Sequence, residues 1–514
     1  MPELNIIGSS NEHRSPQVSA ALSLNLYPEI TDGTDAKAPV VLLGTPGTKI
    51  WADFSLTLSG ACRGTAWAGE KLYMAFGVGV YRVDVNALTG DKTATLIQAI
   101  SPGPTRVKFA DDGFHLLFCD GRNMWGHDLG TGTTSVISTD AYSFPIDVKY
   151  LYSRFFSINA DPSNGTTKPG APVLRNSNKC FYSDVGEDGW ASWTGANFES
   201  ASLNSDPITG IEIRQGEVYL LGPASYECFA YTGDYDTPLK RVGGSAANIG
   251  LLAPDSLAGI ADQLYWVGSS AAGKNQVFVT SNGYDVKRIS THAIEAQFDL
   301  ANSQGQDTTD CIGFAYQQEG HTFYILTSRN MNKTFVFDTT TGMWHNRSTR
   351  DPLHNTDGYW LPMFAVYGYN KVLVANDYDP MILELDLNTY SDYADPNTGL
   401  GRAPIIRQRR TGPVFKELRN LLVREFIVDM QAGVGLSNGQ GSDPQMMFRI
   451  SFDGGRTWSN TRTEPIGKIG EYSRRVRIRG LGMGNNIVLE MTISDPVKVA
   501  IVGAQLYYEV SKNR

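Results

Sequence analysis

The stretch from Gly69 to Asp84 reads Gly-Glu-Lys-Leu-Tyr-Met-Ala-Phe-Gly-Val-Gly-Val-Tyr-Arg-Val-Asp. A turn opens this stretch, a short apolar strand follows, a Gly-rich turn reverses the chain, and a second strand ends on Asp. The same pattern returns at Gly113–Asp128, Gly216–Gly222, Asp262–Gly268, Gly320–Asp338 and Asn370–Asp386. Repeats of about 40–50 residues with several strands per unit are typical of a β-propeller. The sequence therefore predicts an all-β fold built from propeller blades.

Seven such units can be counted, although the third is weak and six blades remain possible. The predicted first strands begin near Cys62, Arg106, Asp147, Ile208, Leu257, Cys311 and Met363. The seventh unit lacks an outermost strand, which would leave an unpaired edge prone to aggregation. We therefore predict that the strand Thr48–Phe54 fills this place and closes the ring. Apolar residues at helical spacing predict one helix over Ser290–Leu300.

Four regions follow from the distribution of strand and turn signals. Residues 1–47, punctuated by prolines, are predicted to form an extended N-terminal arm. Residues 48–390 form the propeller, and 391–401, within a stretch rich in Asn, Asp, Pro and Gly, form a linker. Residues 402–514 are predicted to form a β-sandwich-like platform domain, because about seven strand candidates alternate there with turns.

The composition indicates a globular protein, with 41% hydrophobic and 19% charged residues among 514. We find no apolar run long enough to cross a bilayer and no secretory core in the first residues. The five cysteines are scattered singly, with no C-x-x-C pair. We expect them to be buried thiols made in a reducing compartment, without a disulfide frame.

The charge is divided unevenly along the chain. Residues 401–514 hold 18 Lys and Arg against 10 Asp and Glu, a net charge of +8. Residues 1–400 hold 26 basic and 43 acidic residues, a net charge of −17. This division indicates two domains that face different partners, although two ordinary solvated surfaces would give the same counts.

The segment Ser451-Phe-Asp-Gly-Gly-Arg-Thr-Trp458 resembles the Asp-box of sialidase-type propellers. Such a box builds a hairpin in which Asp453 caps turn amides and Trp458 packs beneath the turn. It occurs once here, outside the repeats, so it indicates a hairpin rather than a glycosidase, whose catalysis must be argued from a site.

Two other patterns carry no predicted chemistry. Gly268–Asn275 nearly matches a phosphate-binding loop, but Asn275 replaces the required hydroxyl and a strand follows where a helix is needed. The seven histidines show no metal-ligand spacing. We therefore predict no catalytic, cofactor-binding or metal-binding residue.

The run Arg475-Val-Arg-Ile-Arg479 places three arginines on one face of a strand, with Val476 and Ile478 directed to the core. Arg407 and Arg409 form a second pair at the same spacing. A solvated strand face and an assembly interface for an anionic partner both fit this pattern. The candidate interface residues are Arg407, Arg409, Arg475, Arg477 and Arg479.

Several short motifs resemble the tail hub proteins of short-tailed bacteriophages, which are also described as tail nozzles or packaged-DNA stabilisation proteins. The run Asn25-Leu-Tyr-Pro-Glu29, followed by Leu43-Gly-Thr-Pro-Gly47, is the most telling. The likeness continues at Gly64, Gly222–Phe229, Ser245–Trp266, Lys287–Ser290, Asp453 and Arg474–Gly480. The long loop 161–177 departs most from the family pattern.

The resemblance implies a propeller plus a β-rich platform, assembled as a ring of six beneath the portal and its adaptor protein. Such a ring continues the channel for double-stranded DNA, holds the packaged genome, guides its ejection, and contacts tail spikes or fibres and a tip or needle protein. The implied location is the virion tail, after synthesis in the host cytoplasm. The family is not one of enzymes, and no cofactor is implied.

Two rival interpretations come from other classes. A carbohydrate-binding or sialidase-like propeller would need arginines and acids on the central face of the blades, whereas the arginines here cluster in the C-terminal domain. A monomeric cytosolic scaffold would form no ring and would not associate with a virion.

Overall fold

The structure, a computed structural model, describes residues 3–31, 36–137, 144–159, 178–204, 206–260, 262–271, 273–281, 284–351, 353–376, 378–394 and 401–511. Six short strands precede the repeats: β1 (Glu3–Leu4), β2 (Asn11–Glu12), β3 (Ala20–Leu24), β4 (Leu26–Ile30), β5 (Val40–Gly44) and β6 (Gly47–Asp53).

The first four blades are antiparallel four-stranded sheets in sequence order. Blade 1 comprises β7 (Cys62–Ala68), β8 (Lys71–Phe76), β9 (Gly79–Val85) and β10 (Lys92–Ala99). Blade 2 comprises β11 (Lys108–Asp111), β12 (His115–Cys119), β13 (Met124–Asp128) and β14 (Thr134–Ile137). Blade 3 comprises β15 (Pro145–Leu151), β16 (Arg154–Asn159), β17 (Lys179–Ser183) and β18 (Trp193–Ser200). Blade 4 comprises β19 (Gly210–Arg214), β20 (Glu217–Leu221), β21 (Tyr226–Tyr231) and β22 (Leu239–Arg241).

Three further blades complete the ring. Blade 5 comprises β23 (Ile249–Leu251), β24 (Ala258–Ile260), β25 (Gln263–Ser270), β26 (Gly273–Thr280) and β27 (Val286–Arg288). Blade 6 follows helix α1 (His292–Ser303) and comprises β28 (Ile312–Gln318), β29 (His321–Ser328), β30 (Lys333–Asp338) and β31 (Met343–Arg347). A hairpin of β32 (Thr349–Asp351) and β33 (Thr356–Gly358) leads to blade 7, which comprises β34 (Pro362–Gly368), β35 (Lys371–Asn376), β36 (Met381–Asp386) and β6.

The seven-bladed prediction is confirmed, and the innermost strand of each blade, which is β24 in blade 5, begins within two residues of its predicted start. Each blade contacts the next through its innermost strand, and β34 returns to β7. The predicted closure is also confirmed, since β6 pairs antiparallel with β36, with Met381 opposite Asp53 and Asp386 opposite Gly47. Helix α1 buries Ile294 and Phe298 as its spacing predicts, and the Thr291 hydroxyl accepts a hydrogen bond from the Ile294 amide at its start.

The C-terminal strands are β37 (Ser391–Tyr393), β38 (Arg402–Pro404), β39 (Arg407–Arg410), β40 (Leu421–Met430), β41 (Gln445–Ser451), β42 (Arg462–Pro465), β43 (Val476–Gly484), β44 (Val488–Ile493) and β45 (Ala500–Val510). The first two pair with each other, so part of the predicted linker belongs to a pair of antiparallel strands. Residues 395–400 lie outside the described part of the chain. The others form a β-sandwich whose core includes Phe426, Phe448 and Leu489. The predicted propeller-plus-sandwich architecture is confirmed.

The described strands within residues 1–47, the predicted extended arm, pair with strands of the sandwich. One sheet has the order β4-β5-β45-β40-β43 with β1 added to β45, and the other runs β3-β39-β44-β41-β42. Strand β3 also contacts β31 of blade 6, with Leu24 opposite Asn346. Sequence reasoning missed these pairings because the partner strands lie more than 300 residues away. The N-terminal segment therefore joins the sandwich to the propeller.

All five cysteines are free and buried, as predicted. In the described residues no helix is long and apolar enough to cross a membrane. The loop 161–177 lies outside the described residues.

Deleting residues 1–55 removes β6 and leaves the edge of β36 unpaired, so we expect an aggregating chain with a lowered unfolding midpoint. Deleting residues 1–4, which removes β1 and retains β2–β6 and the Ile6 carbonyl oxygen that Arg409 binds, is the control and should stay monodisperse. Light scattering and thermal unfolding measure both effects. A chain lacking 1–55 that melts and elutes like the full chain would contradict closure by β6.

Candidate assembly surface

The arginine run 475–479 lies at the start of β43, which is the last strand of its sheet and so forms an edge of the sandwich. Arg475, Arg477 and Arg479 are exposed, whereas Val476 and Ile478 are 2% and 1% exposed and join the core. This alternation confirms the predicted orientation of the strand. Charged side chains on an edge strand also discourage unwanted pairing with another strand.

Two contacts hold this basic face in place. The Arg479 Nε atom donates a hydrogen bond of 2.9 Å to Glu425 Oε1 on β40. The Arg462 guanidinium donates to the carbonyl oxygens of Arg479 and Gly480, at 2.8 and 3.2 Å. The Arg462 side chain thus satisfies two backbone carbonyl groups of the edge strand, while the arginine side chains of the run 475–479 are exposed. The face can pair with carboxylates of a neighbouring protein.

Arg407 and Arg409 are placed differently, because they are 1% and 3% exposed and face the interior. Arg409 donates from Nε to Ile6 O at 2.5 Å and from Nη1 to Leu22 O at 3.2 Å. Burial lowers its pKa to about 10. The period-two pattern predicted a shared face but not which face, since the acceptor carbonyls come from the distant N-terminal segment. This pair does not contribute to the exposed surface of the single chain.

Arg407 lies where the N-terminal segment passes between the domains. Burial also lowers its pKa to about 10, partly offset by the carboxylate of Asp392. A Cβ atom on Gly44 would lie 2.7 Å from Arg407 Nε, and one on Gly47 would lie 2.4 Å from the Thr389 carbonyl oxygen. Both glycines belong to the Leu43–Gly47 motif. A side chain at either position would clash, because the backbone passes close to Arg407 and to Thr389 after blade 7.

Asn25 and Tyr27 of the other N-terminal motif fasten the segment to blade 6. The Asn25 Nδ2 atom donates to Ile406 O at 2.8 Å and to Ser348 Oγ at 3.0 Å, and its Oδ1 accepts from the Ser348 amide at 3.0 Å. Its φ of 53° lies in the left-handed region, which Asn tolerates better than most residues. One buried side chain therefore links β3, the propeller and the strand that begins the sandwich.

Tyr27 packs into an aromatic pocket of blade 6. Its ring centroid lies 5.2 Å from that of His321 and 5.5 Å from that of Phe323. His321 Nδ1 lies 2.9 Å from Asp338 Oδ2, a contact that raises the histidine pKa, whereas burial lowers the pKa of His345 to about 3. Both histidines line the pocket that receives Tyr27. Among the described residues, no cluster of ligating side chains fits a metal ion.

The Asp-box forms the predicted turn, within the sandwich. Asp453 accepts hydrogen bonds from the amides of Arg456 and Thr457 at 2.9 Å and from the Thr457 hydroxyl at 2.6 Å. These bonds hold the pKa of Asp453 well below its usual range. Trp458 lies against the guanidinium groups of Arg410 and Arg449, each 5.3 Å from its ring centre.

Both arginines beside Trp458 also pair with one buried carboxylate. Arg410 Nη2 lies 2.9 Å from Glu490 Oε2, and Arg449 Nε lies 2.7 Å from Glu490 Oε1. Glu490 is 2% exposed, so two cations compensate its burial. Trp458 of the Asp-box therefore packs against the ion cluster that Arg410, Arg449 and Glu490 form in the sandwich.

The phosphate-loop-like segment is part of the β25–β26 hairpin, as predicted. Asn275 is buried, and its Oδ1 accepts a hydrogen bond from the Thr308 hydroxyl at 3.1 Å. The local fold lacks the strand-to-helix transition on which phosphate binding depends.

One ion pair crosses the propeller axis, and another joins two neighbouring innermost strands. Lys108 on blade 2 places its Nζ atom 3.3 Å from Oδ1 of Asp255, which lies in a 3₁₀ turn (Pro254–Ser256) before β24. Lys149 on β15 lies 2.8 Å from Glu212 on β19, so neighbouring innermost strands are also paired. Because blades 2 and 5 lie across the ring from each other, the Lys108–Asp255 contact closes the axis at this level.

Replacing Asn25 by Ala should lower the free energy of unfolding by about 3 kcal/mol. The substitution leaves the buried hydrogen-bonding groups of Ser348 and Ile406 without this partner, and it places Ala in the left-handed region. The control is Asn370→Ala, since Asn370 has a φ of 59° in an exposed turn. Denaturant unfolding of both variants measures the difference. Equal losses would show that the Asn25 side-chain bonds do not fasten the segment.

Replacing Asp453 by Ala should cost about 1 kcal/mol, as for a lost local cap. Because its folded pKa is lowered, this stabilisation is present above the unfolded value of about 3.9 and is lost as the pH falls below it. The stability difference between parent and variant should therefore shrink below pH 4. A constant difference from pH 7 to pH 2, or sialidase turnover that disappears in the variant, would contradict this role.

Comparisons with known proteins identify the family. No curated protein matches the chain. Solved propellers are similar at low identity: the Neurospora crassa Pan2 WD40 domain (9% identity, 67% of this chain and 95% of that chain, TM-score 0.40) and YCF48 bound to D1 peptide (10%, 66% and 97%, TM-score 0.37). The family model described as bacteriophage P22 Gp10, beta-propeller, matches residues 3–390, and that described as bacteriophage P22 Gp10, beta-sandwich, matches residues 407–509. The chain therefore belongs to the bacteriophage P22 Gp10 family of structural virion tail proteins.

Proposed function

We propose that this chain is a tail hub, or nozzle, which forms part of the DNA conduit below the portal and its adaptor. In this role it retains the packaged genome, guides ejection, and contacts the adaptor, the spikes or fibres and the tip protein. It is made in the host cytoplasm and incorporated into the virion. The observation that carries the proposal is that the two family models together cover both domains of the chain.

The closed propeller axis supports a conduit formed between copies of the chain. A B-form duplex has a major groove that is itself about 12 Å wide. It cannot pass along an axis that the Lys108–Asp255 pair crosses at 3.3 Å. A conduit for DNA therefore requires several copies around a common axis, and we propose a ring of six.

The charge division supports different tasks for the two domains. DNA carries dense negative charge, so a channel lined by arginine would bind the duplex and slow its exit. An acidic wall repels the phosphates and lets the duplex slide. We propose that carboxylates from residues 48–390 face the channel, while the basic face of β43 meets a carboxylate-bearing neighbour, either the adaptor or the next subunit.

Replacing Arg475, Arg477 and Arg479 together by Ser should impair adaptor docking or ring formation, so that virions lose packaged DNA. The fold should remain, because Val476 and Ile478 are unchanged and an exposed ion pair such as Arg479–Glu425 contributes about 0–1 kcal/mol. Genome retention in assembled virions and the unfolding midpoint of the isolated chain measure the two effects.

The control replaces the exposed propeller residues Lys240, Lys274 and Lys287 by Ser, which removes the same charge elsewhere. It should leave retention unchanged. Normal retention and infectivity in the arginine variant would remove the β43 face from the mechanism, and an assembled structure with these arginines lining the channel would contradict the division of charge.

A further inference from the structure

The connection between β39 and β40 passes from one sandwich sheet to the other and contains a tight turn with two central residues. Val414 bridges Ile487, and the Arg419 amide donates a 2.9 Å hydrogen bond to the Lys416 carbonyl oxygen. We call residues 414–419 the finger. Phe415 and Leu418 are 68% and 86% exposed, so two large apolar side chains stand in solvent at its tip.

The backbone of the finger is strained for its sequence. Glu417 and Leu418 have φ values of 50° and 57°, so both central residues of the turn are left-handed, as in a type I′ turn. Four described propeller hairpins also place two successive residues in this region, and each contains Gly or Asn: Gly69–Glu70, Gln215–Gly216, Glu319–Gly320 and Tyr369–Asn370. The left-handed conformation costs roughly 1–2 kcal/mol for an ordinary residue.

Neither feature of the finger stabilises the isolated chain. Replacement of Leu418 by glycine would relieve backbone strain, and polar tip residues would avoid exposing apolar surface. Met483 on β43, which is 52% exposed and lies opposite Leu422, adds to the apolar surface at this end of the sandwich. Backbone strain and exposed apolar side chains that occur together mark a contact site rather than a solvated turn.

Charge indicates what the finger contacts. Lys416 lies between the two apolar residues and Arg419 follows them, and Arg419 Nε lies 3.8 Å from Glu417 Oε2, so the finger keeps a net charge of +1. The finger belongs to the region with a net charge of +8, whereas residues 1–400 carry −17. Residues 1–400 of a second copy therefore carry a net charge complementary to that of the region that bears the finger. Contact between different surfaces of identical chains is heterologous, the kind that generates rings.

We propose that the finger docks on the propeller of a second copy of this chain, with Phe415 and Leu418 buried in the contact and Lys416 facing carboxylates. This inference rests on the proposed function, in which copies of the chain assemble. The strained tip then holds its two apolar side chains in the binding geometry before the copies meet.

The test combines two variants in the full chain. Leu418→Gly relieves the turn and removes one apolar side chain without changing the charge of the finger, so the unfolding midpoint should rise while self-association weakens by at least about tenfold, as for a central contact residue. Phe415→Ser leaves the turn unchanged and should weaken association without changing the midpoint. The control is Gln215→Asn, which makes the same kind of turn change in the propeller and should leave association unchanged.

Sedimentation velocity across a concentration series, at low and high salt, measures association. Unchanged association in both finger variants would overturn the proposal while leaving the tail-hub function standing. Weakened docking to a different tail protein, with copy–copy association intact, would assign the finger to that partner and also overturn it. A parent chain that neither associates up to about 1 mM, the weak end of specific affinities, nor enters virions would contradict both proposals.

Discussion

The rest of the structure depends on one constraint: the N-terminal segment supplies strands to both domains. Strand β6 completes blade 7, β3 lies between blade 6 and the sandwich, and β4 and β5 extend the sandwich sheet that contains β45. Strands β3, β5 and β6 pair with residues far along the chain, so the native fold requires both ends to meet. The loss of chain entropy is compensated by buried hydrogen bonds and by closed sheet edges.

Buried arginines make this arrangement possible. Arg409 donates to carbonyl oxygens of Ile6 and Leu22, and Arg347 donates to the Pro46 carbonyl oxygen at 2.9 Å while its guanidinium lies 3.5 Å from the ring centre of Trp360. A guanidinium group offers five donors in a rigid plane, which suits it to satisfying several backbone acceptors at a dry junction. The two domains are thereby held by side chains from blade 6 and β39.

Local patterns predicted what local sequence controls. Period-two alternation with turn residues located the blades, the sandwich strands and the orientation of β43, and the spacing of Ile294 and Phe298 located α1. The unpaired edge of blade 7 predicted the β6 closure, because an open edge exposes unpaired backbone groups that another strand must cover. The burial of Arg407 and Arg409, and the sandwich pairing of β1–β5, could not be predicted, because alternation is the same for an inward and an outward face and the acceptors lie hundreds of residues away. The finger was missed because its strain is visible in φ and not in composition.

Hydrogen–deuterium exchange of the intact chain tests most directly whether the N-terminal segment is an integral part of both domains. Amides of β3, β4 and β6 that are hydrogen-bonded to a neighbouring strand should exchange as slowly as those of the inner blade strands, because these bonds open only when the whole structure unfolds. Fast exchange in these strands, with protected blades and a protected sandwich, would show that the segment is an appendage and would contradict the account.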